Sequence, residues 1–132
     1  MTALLLDTSG YVAFKRNDSL AVQAIQKSPE LLFSVVTLGE LLGGFAFGAR
    51  EDQNLRELSE FRSSYRTSVV PISEVTAQHY AQVYAFLRAQ GKPIPTNDMW
   101  IAASAIEHGA RLLTADSHFS HLPLLLVEYI QR

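Results

Sequence analysis

The sequence of 132 residues contains no cysteine. Without cysteine the chain cannot form a disulfide, use a thiolate nucleophile or bind zinc through sulfur. Each of these absences removes a class of fold stabilisation or of active site. The composition is compatible with a reducing compartment.

Long apolar runs are also missing from the sequence. The apolar run at residues 3–6 is too short for the core of a signal peptide, and no basic residues precede it. No segment approaches the roughly 20 apolar residues that a membrane-spanning helix needs. We therefore expect a protein without membrane segments that acts in the cytoplasm.

Charge of one sign is not in large excess, since 11 Lys and Arg stand against 13 Asp and Glu. A nucleic-acid partner normally requires clustered basic residues, so the net charge of -2 argues against one. If some of the acidic residues bind a metal ion, the net charge of the remaining side chains is close to zero or positive, and a nucleic-acid partner is then compatible with the composition. A phosphate-containing ligand stays compatible with the composition.

Short apolar runs of strand length alternate with segments of helical periodicity. With 48% hydrophobic residues, the chain can form one domain, residues 1–132, around its own core. The alternation predicts an α/β sandwich of three layers, in which helices flank a central, mainly parallel, five-stranded sheet. The predicted strands are residues 3–6, 32–36, 68–72, 111–116 and 124–130, and the predicted helices are residues 19–28, 38–48, 51–66, 74–90 and 97–108.

Four acidic residues from separate segments fall at one predicted edge of this sheet. Asp7 and Asp116 end strands, whereas Glu40 and Asp98 lie near the beginnings of helices. In parallel sheets, ligands bind at the carboxyl ends of the strands, and a helix that follows a strand by a short loop begins at the same edge. We therefore expect the four carboxylates to converge.

Such a cluster would be unfavourable without a counterion. Two like charges about 4 Å apart repel by about 4 kcal/mol at an effective dielectric constant of about 20. A divalent cation such as Mg²⁺, which prefers oxygen ligands, relieves this repulsion. The ion could then orient water for attack on a phosphorus atom.

Two of the acids also have local explanations that do not involve a ligand. Glu40 follows Thr37 at the spacing of a capping box. Asp98 lies two residues after Thr96, which is a good N-cap residue, and a carboxylate there would stabilise the positive end of the helix dipole. These explanations stay open at the level of single residues.

Four segments, taken in order, resemble the successive motifs of PIN-domain nucleases, in particular the VapC-type toxins of bacterial toxin-antitoxin pairs. The segments are LLLDTSG, SVVTLGELLGG, PTNDMWIAASA and LLTADSHF. The resemblance covers residues 4–129, and its specificity lies in the ordered set. It implies a sheet of strand order 3-2-1-4-5 and a metal-dependent endoribonuclease that cuts single-stranded RNA.

The resemblance also implies the site residues and the partners. Mg²⁺ is the expected cofactor, with Mn²⁺ as a possible substitute. The subunit is expected to form a homodimer, and a cognate antitoxin protein is expected to cover the acidic groove. The implied catalytic residues are Asp7, Glu40, Asp98 and Asp116, the implied metal ligands are Asp7, Asp98 and Asp116, and the implied supporting polar residues are Thr8, Asn97 and Thr114.

Other functions remain as alternatives. A phosphatase of the haloacid dehalogenase type also begins with a strand that ends in Asp, but it needs a second Asp where this chain has Ser9. A catalytically silent PIN-like module for protein or RNA binding is the other alternative. His118 and His121 lack the further ligands that a structural zinc site needs, so His118 is interpreted as a surface residue or, less favoured, a phosphate contact. Trp100 is interpreted as a packing residue.

Overall fold

The structure is a computed structural model and describes residues 2–130. Residues 1 and 132, the limits of the expected domain, lie outside the described residues. In chain order the elements are β1 (Leu4–Leu6), α1 (Thr8–Lys15), α2 (Ser19–Lys27), β2 (Leu31–Ser34), α3 (Val35–Phe47), α4 (Glu51–Arg62), β3 (Thr67–Val70), α5 (Glu74–Gln90), α6 (Thr96–Glu107), β4 (Arg111–Thr114), a 3₁₀ helix (Ser117–His121) and β5 (Val127–Tyr129).

The five strands form one sheet in the order β3-β2-β1-β4-β5, and every pair of neighbours is parallel. This confirms the predicted sheet and its strand order. Strand β1 lies at the centre, where Leu5 is opposite Leu32 of β2 and Leu112 of β4. All three residues of β1 are fully buried, which is why the strand is a continuous apolar run without alternation.

Helices cover both faces of the sheet. Successive residues of a strand point to opposite faces, so each buried strand contributes side chains to both helical layers. Leu5 packs in one cluster with residues of α5 and α6, including Leu87 and Ile101. Leu4 and Leu6 pack in a second cluster with residues of α1 to α4. The predicted three-layer arrangement is therefore confirmed.

Two helices begin where their capping residues predict. The Asp18 side chain accepts hydrogen bonds from the backbone N–H groups of Leu20 and Ala21 and so caps α2. Ser73 and Thr76 form a capping box at the start of α5, which ends at Gly91 with a φ of 65°. Glycine adopts this left-handed conformation without a steric penalty.

Two predicted helix starts are wrong. Helix α3 begins at Val35, and its cap is Ser34, whose hydroxyl accepts from the N–H of Val36. Thr37 therefore lies inside the helix and cannot form the predicted capping box with Glu40. Helix α6 begins at Thr96 itself, with Pro95 at the N-cap position, so Thr96 is not the cap.

Other predicted boundaries differ from the structure, and one helix was missed. Strand β2 ends at Ser34 because the chain turns directly into α3, and α4 ends at Arg62. Arg66, predicted to be helical, instead donates hydrogen bonds to the carbonyls of Ile25 and Ser28. Helix α1 follows Asp7 immediately, in a segment that lies outside all of the predicted helices.

Gly10 in the first turn of α1 allows this helix to pack against β4. A Cβ atom at Gly10 would lie 2.4 Å from the carbonyl oxygen of Leu113. The contact is with backbone, which cannot rotate away. Gly39 on α3 is a contrasting case, because a Cβ atom there would have no other atom within 4 Å.

We predict that Gly10→Ala lowers the free energy of unfolding by about 1–3 kcal/mol or more, because α1 must move away from the sheet. Gly39→Ala, at an open position inside a helix, should instead raise it by about 0.5–1 kcal/mol. Urea denaturation of both variants measures the difference. Equal effects of the two substitutions would contradict the proposed close approach.

Candidate active site

The four predicted acids line a single pocket at the carboxyl-terminal edge of the sheet. Asp7 follows β1 and Asp116 follows β4, and these strands are neighbours. Glu40 comes from the second turn of α3, and Asp98 comes from the first turn of α6. The lining residues are Asp7, Thr8, Ser9, Val12, Arg16, Glu40, Asp98, Ile101 and Asp116.

The Asp7 carboxylate is held by three hydrogen bonds. Its Oδ1 accepts from the N–H of Gly10 at 2.7 Å and from the Ser9 hydroxyl at 2.8 Å, so Asp7 also caps helix α1. Its Oδ2 accepts from the hydroxyl of Thr114. A carboxylate oxygen has two lone pairs, so Oδ2 retains one acceptor position.

Glu40 is oriented by two of the predicted supporting residues. Thr8 donates its hydroxyl hydrogen bond to Glu40 Oε1 at 2.6 Å, and the Asn97 amide donates to Oε2 at 3.2 Å. These contacts join α1, α3 and α6 around one carboxylate. They also account for Glu40 without the capping role that the structure excludes.

Thr114, the third predicted supporting residue, connects two of the acids. Its hydroxyl donates to Asp7 and accepts from the backbone N–H of Asp116 at 2.9 Å. Thr114 is fully buried, so its hydroxyl is shielded from competing water. The carboxylate of Asp116 in turn caps the following 3₁₀ helix by accepting from the N–H of His118.

Asp98 and Asp116 lie close together, with the His118 imidazole beside both of them. The Nδ1 atom of His118 is 3.0 Å from Asp116 Oδ1 and 3.5 Å from Asp98 Oδ2. One donor atom from each residue lies within 4.8 Å of the other two. The side chains of Asp98 and His118 are 17% and 49% exposed, so the group opens to solvent on the histidine side.

Electrostatic repulsion acts across the whole pocket. Burial raises the pKa of Asp98 to about 6, with further upward contributions from the charges of Asp116 and Glu40 and a downward one from His118. Burial also raises the pKa of Asp7; its hydrogen bonds to Thr114, Gly10 and Ser9 lower it, and the charge of Asp116 adds to the rise. The pKa values of Asp98 and Asp7 are therefore raised in part by the negative charges of their neighbours Asp116 and Glu40.

The donor chemistry of this pocket fits a divalent cation. Its acidic side chains offer carboxylate oxygens, the ligand type that Mg²⁺ prefers. Asp98 and Asp116 are close enough to share one ion, and Asp7 keeps an acceptor position on Oδ2. A bound cation would oppose the upward pKa shifts by favouring the ionised carboxylates.

Three residues of the site were not among the predicted site residues. Ser9 donates to Asp7 and accepts from the N–H of Ala115, Arg16 is the basic residue of the pocket lining, and His118 contacts two acids. His118 lies at the surface, as interpreted from the sequence, but its imidazole also lies beside Asp98 and Asp116. Ser9 and His118 each lie two residues after a predicted site acid, Asp7 and Asp116, and this position in the sequence could have identified them as site residues.

The aromatic residues singled out in the sequence have different environments. Trp100 is half-buried and stacks on Tyr80 of α5, with ring centroids 4.1 Å apart, which confirms its predicted packing role. In the GGFAFG segment, Phe45 packs partly against the core, whereas Phe47 is 96% exposed. That segment therefore presents an apolar side chain at the end of α3.

The chain matches the family model described as PIN domain over residues 4–125. It is 37% identical over 90 residues to ribonuclease VapC4 of Mycobacterium tuberculosis, covering 68% of this chain and 69% of that protein. Among solved structures, it is similar to VapBC2 from Rickettsia felis bound to a promoter DNA fragment, with a TM-score of 0.85, 24% identity and coverage of 98% and 100% of the two chains.

A second solved structure is a member of the VapBC family of toxin-antitoxin systems, VapBC-5 from Mycobacterium tuberculosis. The likeness has a TM-score of 0.73 with 28% identity and covers 100% of both chains. Within residues 2–130, no helix has both the length and the apolar character needed to cross a membrane.

We predict that the metal-free protein loses stability as the pH rises from 4 to 7. The pKa of Asp98 is about 6 in the folded state against 3.8 ordinarily, so its stabilising contribution is full below pH 4 and is lost as the pH rises through 6. In EDTA at pH 8, Asp98→Asn should therefore unfold with a free energy higher by up to about 3 kcal/mol than the wild type.

Urea denaturation across this pH range measures the effect, with Glu60→Gln on the exposed surface of α4 as a matched control. If Asp98→Asn raised the free energy of unfolding no more at pH 8 than at pH 5, the unfavourable burial and repulsion of the Asp98 carboxylate would not be present.

Proposed function

Because the chain belongs to the PIN-domain family, we propose that it is a ribonuclease toxin that cleaves RNA phosphodiester bonds with a divalent metal ion. The family model matches nearly the whole described chain, and the relatives named above are ribonucleases and members of toxin-antitoxin systems. The single observation that carries the proposal is the convergence of four carboxylates from four separate elements in one pocket.

In this proposal Asp7, Asp98 and Asp116 hold the ion, which is Mg²⁺ or, as a substitute, Mn²⁺. A bound divalent ion supplies Lewis-acid chemistry, since it withdraws charge from a phosphate and lowers the pKa of water. Asp7 is oriented by hydrogen bonds that occupy both lone pairs of Oδ1 and one of Oδ2, which leaves one acceptor position on Oδ2. Because the Asp7 carboxylate is already held in position, it needs little rearrangement when the ion binds.

Glu40 is proposed to orient the attacking water and to accept its proton. Thr8 and Asn97 each donate one hydrogen bond to this carboxylate, so each oxygen keeps one acceptor position. These donors hold the carboxylate in one orientation. Thr114 has a corresponding supporting role, because it positions both Asp7 and the chain at Asp116.

A groove with basic residues extends the acidic pocket and supports an RNA substrate. Val12 and Arg16 line both the acidic pocket and a neighbouring groove to which Arg50 and Asn54 also contribute, while Lys15 in that groove pairs with Glu57. Cationic side chains bind phosphates, and an amide can donate to phosphate or sugar oxygens. The basic and amide side chains of this groove could therefore bind the RNA phosphates next to the one that is cleaved. They do so locally, since the whole chain carries a net charge of -2.

The same proposal includes the partners and the setting of the enzyme. We propose that one PIN-like domain, residues 1–132, acts in the cytoplasm as a homodimer and that a cognate antitoxin protein inhibits it. The related solved structure from a toxin-antitoxin system supports the antitoxin partner. The phosphatase alternative is not favoured, since Ser9 donates its hydroxyl hydrogen bond to Asp7 where that chemistry needs a second acid.

We predict that the purified protein cleaves single-stranded RNA with Mg²⁺ or Mn²⁺ and not with EDTA. Asp7→Asn and Asp98→Asn should each lower the cleavage rate at least about a hundredfold, because each removes a charged ligand of the ion. Labelled structured RNAs with single-stranded loops, separated on denaturing gels, measure the rates.

Glu60→Gln provides the matched control, because it removes an exposed carboxylate from α4 outside the pocket. Cleavage that survives both pocket substitutions, or that persists in EDTA, would contradict the metal-dependent mechanism. Hydrolysis of a small phosphomonoester without RNA cleavage would favour the phosphatase alternative.

A further inference from the structure

His118 lies at the open side of the pocket and contacts two of the proposed metal ligands. We infer that His118 Nδ1 is a further ligand of the ion that Asp98 and Asp116 help to hold. We further infer that this nitrogen makes the site prefer first-row transition ions such as Co²⁺ over Mg²⁺. The inference rests on the proposed function, because it adds a ligand to the same site.

The distances between the three donor groups fit a shared ion. For metal bonds of about 2.1 Å, two ligands at a right angle are about 3.0 Å apart, and two at the tetrahedral angle are about 3.4 Å apart. Nδ1 is 3.0 Å from Asp116 Oδ1 and 3.5 Å from Asp98 Oδ2. The imidazole therefore already has the spacing of a coordinated group relative to both carboxylates.

The backbone holds His118 at this position. Its N–H donates to Asp116 Oδ1 at 2.9 Å, which fixes the histidine relative to that carboxylate. The next residue, Phe119, is fully buried in the core and anchors the 3₁₀ helix to the sheet. The histidine side chain itself is half-exposed, so an ion and its remaining water ligands can reach Nδ1.

The donor types set the expected metal preference. Mg²⁺ prefers oxygen ligands and retains several waters, so an imidazole adds little to its binding. Imidazole suits transition ions, and their affinities rise from Mn²⁺ to Co²⁺ and Ni²⁺ at sites of this kind. A site that adds an imidazole to its carboxylates should therefore favour Co²⁺ over Mg²⁺ more strongly than carboxylates alone would.

Metal binding without RNA tests the inference. Isothermal titration of the full chain with Co²⁺ and with Mg²⁺ is compared for the wild type, His118→Ala and Asp98→Asn. His118→Ala should lower the Co²⁺ affinity about tenfold or more and the Mg²⁺ affinity less than about threefold. His121→Ala, at the other end of the same 3₁₀ helix, is the matched control and should leave both affinities unchanged.

Pulsed electron paramagnetic resonance of the wild type with bound Mn²⁺ gives a readout that needs no variant. A ¹⁴N coupling from a directly bound imidazole should be present, and it should disappear in His118→Ala. Thermal melting in EDTA establishes that each variant is folded before its binding is compared.

The outcomes separate this inference from the proposed function. If the wild type binds both ions, Asp98→Asn abolishes binding and His118→Ala leaves the Co²⁺ to Mg²⁺ ratio unchanged, the acidic site stands and the histidine ligand is overturned. Absence of the nitrogen coupling in the wild type overturns it as well. If the wild type binds neither ion, both the inference and the metal-dependent function are overturned.

Discussion

The free-energy cost of desolvating clustered carboxylates, together with their mutual repulsion, is the constraint on which this site depends. Burial and neighbouring negative charge both raise the pKa of Asp98 to about 6, and Asp7 is shifted in the same direction. The fold maintains this unfavourable arrangement through hydrogen bonds from Ser9, Thr8 and Thr114, and the His118 imidazole lies beside Asp98 and Asp116. A divalent cation would convert the repulsion into attraction, so the same arrangement would then stabilise the protein.

The parallel sheet makes the convergence possible. Strands β1 and β4 are neighbours, so Asp7 and Asp116 emerge side by side although they are more than 100 positions apart in the chain. Gly10 then lets α1 approach β4 closely, which places Ser9 within hydrogen-bond distance of both Asp7 and the N–H of Ala115. The packing of one helix and the geometry of the acids are therefore coupled.

The sequence predicted the parts of this structure that depend on simple periodicity and position. Buried strands such as Leu4–Leu6 are continuous apolar runs, and acids directly after such strands fall at one edge of a parallel sheet. Helix α1 was missed because Asp7 is both the residue after the strand and the cap of the helix, which leaves no loop to mark a boundary.

The remaining errors concern contacts between distant segments. Nothing near Glu40 in the chain indicates that Thr8 and Asn97 hold its carboxylate, since these bonds span 32 and 57 positions. Arg16 and Arg50 belong to no basic run, and they line one groove only after α1 and α4 have packed together. His118 likewise meets Asp98 only when the 3₁₀ helix docks beside α6.

The most direct test of the central claim is to locate the ion itself. Crystals soaked in Mn²⁺ and measured at its absorption edge would give an anomalous difference map. We predict a peak in the acidic pocket within bonding distance of carboxylate oxygens of Asp98 and Asp116, on the side facing Asp7. A pocket without a peak at saturating Mn²⁺, in crystals where the pocket is open to solvent, would contradict it.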